Sequence, residues 1–472
     1  MLIFDSNVQE LKYRVLKEVV RLSSRNELPA KLYDIPRTIV PGPKATMRCC
    51  IYRERAIVEE RVKMAMGGNA DNKNVVEVID IACEECPNKR FLVTETCQGC
   101  IAHRCQGACP AKAITFVNHK AVIDPEKCKG CGQCMRACPY HAITEQERPC
   151  INACKAKAIL LDEQNKADID PDKCIRCGAC VRQCPFGAIV DKSYVLDVLQ
   201  MIRESNNGEN FRVYAAVAPA IASQFSYAKV GQVAAGLYKM GFNRVVEAAL
   251  GADIVAHKEA EELVEKEFLT TSCCPAFVRY IKANFPELEN NISSNASPMV
   301  ETARLIKTVD KTAKVVFIGP CIAKKMEFQK EELKGIVDSV ITFEELQAIF
   351  GGLDIHLEEL EERKLSDASY FGRIFARNGG VTEAVSNALE EKHIDFQVEP
   401  AICDGLEECR TALFKASKGK LAENFIEGMA CVGGCAGGAA CISLNHAMKN
   451  KMSIDNYAKQ AHKEMGEFVP VR

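Results

Sequence analysis

The sequence predicts three parts in series: a short helical segment, a cysteine-dense α+β region and a large α/β domain. Three observations carry this reading. Apolar residues recur at helical spacing over residues 11–22 and again from about residue 47. Sixteen of the 26 cysteines lie between Cys83 and Cys184. From Phe211 onward, short strand-like apolar runs alternate with helix-like ones. The expected boundaries are 1–80, 81–195 and 196–472.

A chain of 472 residues that is 47% hydrophobic can bury a substantial core in two or three domains. Net charge is −2 with acids and bases interspersed, which points away from nucleic acid and membrane surfaces as partners. No run of about 18 apolar residues occurs, and Met1 to Leu22 lacks the long apolar stretch of an export signal. A cytoplasmic protein is expected.

In the first part, Leu11, Val15, Leu16, Val19 and Leu22 share one helical face. Pro36, Pro41 and Pro43 predict a loop, because proline fixes the backbone and removes a donor. A second helix is expected from about Met47, with Ile51, Val58, Val62 and Met66 on one side and a stop at Gly67-Gly68. Cys49 and Cys50 fall on it and read as packing thiols. Val75 to Ala82 reads as a strand.

In a large chain without an export signal, many cysteines indicate metal ligation rather than disulfides. Ile123-Asp124-Pro125-Glu126-Lys127-Cys128 is repeated as Ile169-Asp170-Pro171-Asp172-Lys173-Cys174. Each copy continues as C-x2-C-x2-C-x3-C-P, through Cys131, Cys134 and Cys138 or through Cys177, Cys180 and Cys184. This is bacterial ferredoxin spacing, in which three thiolates hold one cubane and the fourth reaches the neighbouring one. A zinc site leaves the C-x3-C-P unexplained.

The other eight cysteines form the pairs Cys83/Cys86, Cys97/Cys100, Cys105/Cys109 and Cys150/Cys154. Pro110-Ala111-Lys112-Ala113-Ile114 and Lys155-Ala156-Lys157-Ala158-Ile159 follow the C-x3-C pairs, much as His141-Ala142-Ile143 and Gly187-Ala188-Ile189 follow the regular motifs. They read as degenerate halves of two ferredoxin modules. The crossover rule then groups Cys97, Cys100 and Cys105 with Cys138, and Cys128, Cys131 and Cys134 with Cys109. Cys174, Cys177 and Cys180 join Cys154, leaving Cys83 and Cys86 for Cys150 and Cys184. Four accessory [4Fe-4S] clusters are expected, or two to four should the degenerate halves stand empty.

A helix over Tyr194–Arg203 and the turn Asn206-Asn207-Gly208 lead into the last part. Phe211 to Val217 predicts a strand ending at Ala218-Pro219-Ala220, Val315 to Ile318 another, and helices are expected near 299–307, 343–350 and 381–390. In α/β folds, sites gather beyond the carboxyl ends of strands. Three segments sit there: Thr271-Ser272-Cys273-Cys274-Pro275, Pro320-Cys321-Ile322-Ala323-Lys324-Lys325-Met326-Glu327, and Met429-Ala430-Cys431-Val432-Gly433-Gly434-Cys435. Gly433, Gly434, Gly437 and Gly438 read as places where backbone approaches a cofactor.

Together these segments resemble the three signatures of the [FeFe]-hydrogenase catalytic domain, over roughly Phe211 to Cys441. The resemblance implies a two-lobed α/β domain of hydrogenase type and an H-cluster: a [4Fe-4S] cubane joined to a two-iron subsite carrying CO, CN and a dithiolate. It assigns Cys274, Cys321, Cys431 and Cys435 to the cubane, with Cys435 bridging to the subsite. Lys324 falls where a family lysine meets a cyanide, Ser272 and Ala218 where family residues contact the other, and Met429 within the third signature. Cys273 resembles the thiol that passes protons to the dithiolate. Glu259, Glu262 and Ser293 match the family proton relay, and Lys266 stands at its mouth. Lys325 is expected to face solvent or a structural partner.

Departures surround these positions. Pro275-Ala276-Phe277 stands where glycine and tryptophan are common, Gly319 replaces a methionine, Met299 a glutamine, and Gly438-Ala439-Ala440 a third glycine and a glutamine. They resemble a branch sometimes called group B. Cys403, Cys409 and Cys441 are expected in the core, with Cys441 near the cofactor loop.

The expected activity is reversible oxidation of molecular hydrogen to protons and electrons under anaerobic conditions. Electrons would pass through the cubanes to a ferredoxin or similar soluble carrier, and hydrogenase maturation proteins would supply the two-iron subsite. The alternatives are a low-turnover hydrogen or redox sensor and a Nar1-like iron–sulfur assembly protein. No G-x-G-x-x-G loop after a strand supports a nicotinamide or flavin enzyme.

Overall fold

The structure is a computed structural model that describes residues 4–83, 86, 90–443 and 447–462. The first helix, Asn7–Ser24, starts where the Gln9 N–H donates to Ser6 Oγ at 3.2 Å. Its predicted apolar face is buried, each such side chain contributing about 1.5–3 kcal/mol. That face packs on the helix Phe343–Gly352 of the α/β domain. A Cβ at Gly352 would lie 2.7 Å from Val20, so the two helices meet at a distance that a side chain there would prevent.

Two expectations for this segment need correction. Residues Ile35–Ile39 are helical, with Pro36 in the first turn, where its missing N–H removes no bond. The second helix begins at Ile51, because Cys50 is extended (φ −156°, ψ 157°) and caps it. Cys49 and Cys50 are therefore exposed rather than packing thiols.

The cysteine region is built from two-stranded antiparallel pairs. The strand β1 (Val76–Val78) pairs with β8 (Ile189–Asp191), enclosing β2 (Phe91–Val93) paired with β5 (Ile143–Glu145). Two hairpins complete it, β3 (Ile114–Val117) with β4 (Lys120–Ile123) and β6 (Ile159–Leu161) with β7 (Ala167–Ile169). One module is thus nested inside the sequence of the other. The strand expected over Val75–Ala82 gives way to a turn at Asp80–Ala82. Because β1 closes the outer module, that module begins before the expected boundary at residue 81.

Two parallel sheets form the α/β domain. One has the order β10 (Arg244–Glu247), β9 (Val213–Val217), β12 (Lys314–Gly319), β13 (Ser339–Thr342). The other has β11 (Leu269–Thr270), β15 (Phe425–Met429), β14 (Pro400–Asp404). Val213–Val217 and Phe425–Met429 are buried throughout, as expected for parallel strands covered on both faces. Among the described residues, no helix is long and apolar enough to cross a membrane.

Candidate redox and proton-transfer site

The three cysteine segments and Ala218 leave the carboxyl ends of β11, β12, β15 and β9, drawn from both sheets. They converge on a cavity of about 90 Å³ lined by Ala218, Cys273, Cys274, Cys321, Lys324, Met429 and Cys435, with Met299 in its wall. Cys431 lies just behind, facing Cys321, Cys274, Cys177 and Cys435. Burial, then the neighbouring Cys274, pushes the Cys321 thiol up to about 11. Burial followed by Cys321 and Cys274 takes Cys435 to about 12. Buried thiols held this high stay neutral unless a metal takes them as thiolates.

Lys324 supplies the cation. Its Nζ lies 2.6 Å from Glu327 Oε2 and donates to the Cys273 carbonyl at 3.4 Å. Lys325 is fully buried with a structural partner set: Asp191 and Glu345, each at 2.8 Å, and the Lys192 carbonyl at 2.7 Å. Ser272 Oγ donates to the Asn295 carbonyl at 2.7 Å, which ties its segment to the loop carrying Ser293.

The glycines of the third segment answer to the protein's own backbone. Gly433 and Gly434 have φ of +84° and +68°, which strains any other residue. A Cβ at Gly437 would fall 1.8 Å from the Val432 carbonyl oxygen, and at Gly438 it would fall 2.7 Å from that of Pro320. Cys441 is buried and its Sγ donates to the Ala436 carbonyl at 3.3 Å, closing the same loop. Cys403 and Cys409 are buried as well, beneath the Cys274 side.

Leading outward from Cys273, Glu259 is fully buried on the helix Ala248–Lys266. Burial raises its carboxyl to about 7, against the Ser272 N–H, which donates to Oε1 at 3.3 Å, and the Ser293 hydroxyl. Its Oε2 is buried without a partner. Ser293 Oγ donates to Glu262 Oε2 at 3.0 Å, and Lys266 Nζ lies 2.8 Å from Glu262 Oε1. Burial opposes ionisation of Glu262, but Lys266 and the Ser294 N–H overcome it and hold it below the usual carboxylate range. Lys266 and Ser293 border an open cleft of about 830 Å³. The chain Lys266, Glu262, Ser293, Glu259, Cys273 therefore runs from that cleft to the cavity.

In the cysteine region the nested topology brings distant pairs together. Cys150 is buried against Cys184, Cys83 and Cys86, and burial, then these thiols, take it up to about 11. Cys105 faces Cys138 and Cys100, and Cys134 faces Cys109 and Cys128. Cys177 is surrounded by Cys174, Cys154 and Cys274, and burial with these thiols raises it to about 12. Cys97 packs in one cluster with Cys105, and Cys180 lies near Cys154. Cys131 is exposed. Among the described residues, no three or more His, Cys, Asp or Glu are spaced to hold one metal ion. Wider quartets are what a cubane requires, since each corner iron takes its own thiolate.

Sequence reasoning missed three residues. Glu427, fully buried on β15, accepts from the Gly379 and Thr382 N–H groups, each at 2.8 Å, and lies near Cys273 and Cys435. A carboxylate inside the apolar run Phe425–Met429 was the available signal. Arg61, 5% exposed beside Cys184, donates to the Gly187 carbonyl at 2.5 Å, and burial lowers its guanidinium to about 10. Its place within the stripe Val58, Val62 marked it. Asn295 Nδ2 donates to Glu262 at 2.8 Å and Ser293 at 3.1 Å, and nothing in the sequence singled it out.

Residues 211–439 match the family described as iron only hydrogenase large subunit, C-terminal domain. Residues 121–144 and 167–190 each match a 4Fe-4S binding domain. Iron hydrogenase 1 of Clostridium pasteurianum is 28% identical over 405 residues, 73% of this chain and 69% of that one. The periplasmic [Fe] hydrogenase large subunit of Nitratidesulfovibrio vulgaris is 29% identical over 380 residues, 68% and 86% of the two chains. The cytosolic Fe-S cluster assembly factor NAR1 of Kluyveromyces lactis is 40% identical over 87 residues, 18% of this chain and 19% of that one.

Proposed function

We propose, from the premise that residues 211–439 belong to the family of iron-only hydrogenase catalytic domains, that this oxidoreductase interconverts molecular hydrogen with protons and electrons at an H-cluster. The observation that carries the reading is the row of side chains Lys266, Glu262, Ser293, Glu259 and Cys273, which ends at the thiol-lined cavity and suits a proton relay. Hydrogen chemistry needs protons moved to and from a water-excluded metal through groups in hydrogen-bond reach.

Cys274, Cys321, Cys431 and Cys435 suit a cubane by number and softness. When bound, the two-iron subsite would supply an open iron position for hydrogen. Lys324 offsets the negative charge of such a cofactor, held in place by Glu327. Ala218 and Met429 line the cavity, while Ser272 lies in the wall of the open cleft with its hydroxyl tied to the Asn295 carbonyl. Cys273 holds the innermost proton. Glu259, with a carboxyl poised near 7, takes and returns it at neutral pH. Glu262, ionised beside Lys266, exchanges with water in the cleft.

Electrons would travel through four cubanes held by the quartets described above. Cys177 faces Cys274 and Cys431, which makes its cluster the one next to the catalytic site. The two ferredoxin-type modules suit a ferredoxin or similar carrier, and maturation proteins would install the two-iron subsite.

The match to NAR1 favours one second reading, an iron–sulfur assembly factor without that subsite. A scaffold has no use for a buried proton path. Hydrogen–deuterium exchange catalysed by matured protein tests the choice: turnover supports the hydrogenase, and its absence with every cubane loaded supports the scaffold.

A further inference from the structure

The open cleft at the relay mouth carries a second feature that proton transfer does not use. Arg176 and Arg279 lie side by side in its wall. Arg176 is 5% exposed, and it donates to backbone carbonyls, those of Cys174 at 2.8 Å and Pro171 at 2.9 Å. Arg279 likewise donates to the carbonyls of Pro171 at 3.1 Å and Asp172 at 3.2 Å. The Nε of each is buried without a partner.

The carboxylates of the cleft are already engaged. Glu289 pairs with Lys282 at 2.9 Å, Glu327 with Lys324 at 2.6 Å, and Glu332 with Lys330 at 3.5 Å. Asp172 lies near Arg176, yet neither arginine forms an ion pair with a carboxylate among the described residues. The buried Arg176 and the half-buried Arg279 repel each other, and a guanidinium cannot relieve this by losing its proton. A cubane on Cys174 and Cys177 would offset part of this charge from behind, and the cleft side calls for an anion from outside the chain. Planar N–H forks match the oxygens of carboxylates and phosphates, and a volume of about 830 Å³ is that of a small-molecule site.

We propose that this cleft binds a small oxyanion, bearing a phosphate or carboxylate group, against Arg176 and Arg279. Arg176 stands between Cys174 and Cys177 in the chain, and Lys266 and Ser293 border the same cleft. A bound anion thus sits between the cluster nearest the catalytic site and the outer end of the proton relay. Binding itself does not depend on the hydrogen chemistry proposed above.

The test is isothermal titration of the full-length, iron-loaded protein with inorganic phosphate and, separately, with succinate, at ionic strength fixed by chloride. Saturable one-site binding of either probe is expected, weakened at least about 10-fold in R279Q with iron content unchanged. Which probe binds identifies the group. Should R279Q lose iron, R279K replaces it, retaining charge but not the fork, and the same weakening is expected. Heats that only track ionic strength, or saturable binding that both variants leave unchanged, would overturn the proposal.

Discussion

The Cys177 thiol lies beside that of Cys274, across the junction of the cysteine region and the α/β domain, and Cys431 faces both. This contact predicts a separation of electron flow from chemistry. C177S should abolish hydrogen oxidation coupled to an external electron acceptor, while hydrogen–deuterium exchange, which needs no net electrons, persists. Equal loss of both activities would show that Cys177 serves the site itself.

The proton path predicts a different pattern. C273A should retain cofactor and accessory clusters yet lose turnover by about 100-fold or more, the usual contribution of a positioned acid–base group. E262Q and S293A should also slow turnover, and hydrogen evolution, oxidation and exchange should fall together. Wild-type rates in C273A would exclude the relay.

Glu259 sets the pH dependence. Its carboxyl is raised to about 7, burial being the main cause, so it is protonated below that pH and ionised above. Inward proton delivery needs the protonated form, so hydrogen evolution should decline as pH rises through about 7. Oxidation needs the ionised form as acceptor and should decline as pH falls through the same value. E259Q should remove this inflection from pH–rate profiles along with most turnover.

The contribution of Lys325 is to stability. Its ammonium joins Asp191 of β8 to Glu345 of the helix Phe343–Gly352, with all three groups buried. K325A leaves the buried Glu345 without a cation and Asp191 with Lys12 alone, and should cost about 3–5 kcal/mol, visible as a lower unfolding midpoint and faster cluster loss. A change within error would show that the carboxylates are satisfied by other cations, of which Lys12 already pairs with Asp191.

Iron analysis checks the quartets. Full loading corresponds to about 22 irons, and removing Cys83 and Cys86 together should lower it by about four. An unchanged count would leave the outer module's second cluster without its ligands.

The parts of this molecule that were legible in the sequence are those where chemistry is local. The cysteine segments around Cys274, Cys321 and Cys435 each fit within a few residues, and β9, β12 and the helix Phe343–Gly352 show their periods directly. The grouping of Cys83 and Cys86 with Cys150 and Cys184 was reached only as the remainder of the crossover rule, and the nesting that sets these residues near one another shows only in the pairing of β1 with β8. What sequence could not show was the choice of partners across the chain. Arg176 and Arg279 are 103 positions apart and look like ordinary surface charges until the cleft brings them together. Cys49 and Cys50 fit a helical pattern whose first turn Cys50 declines by capping it.

An infrared spectrum of protein matured without oxygen decides whether the two-iron subsite is present. Carbonyl and cyanide bands that shift when hydrogen is admitted are expected. Their absence from protein with fully loaded cubanes would contradict an H-cluster at this site.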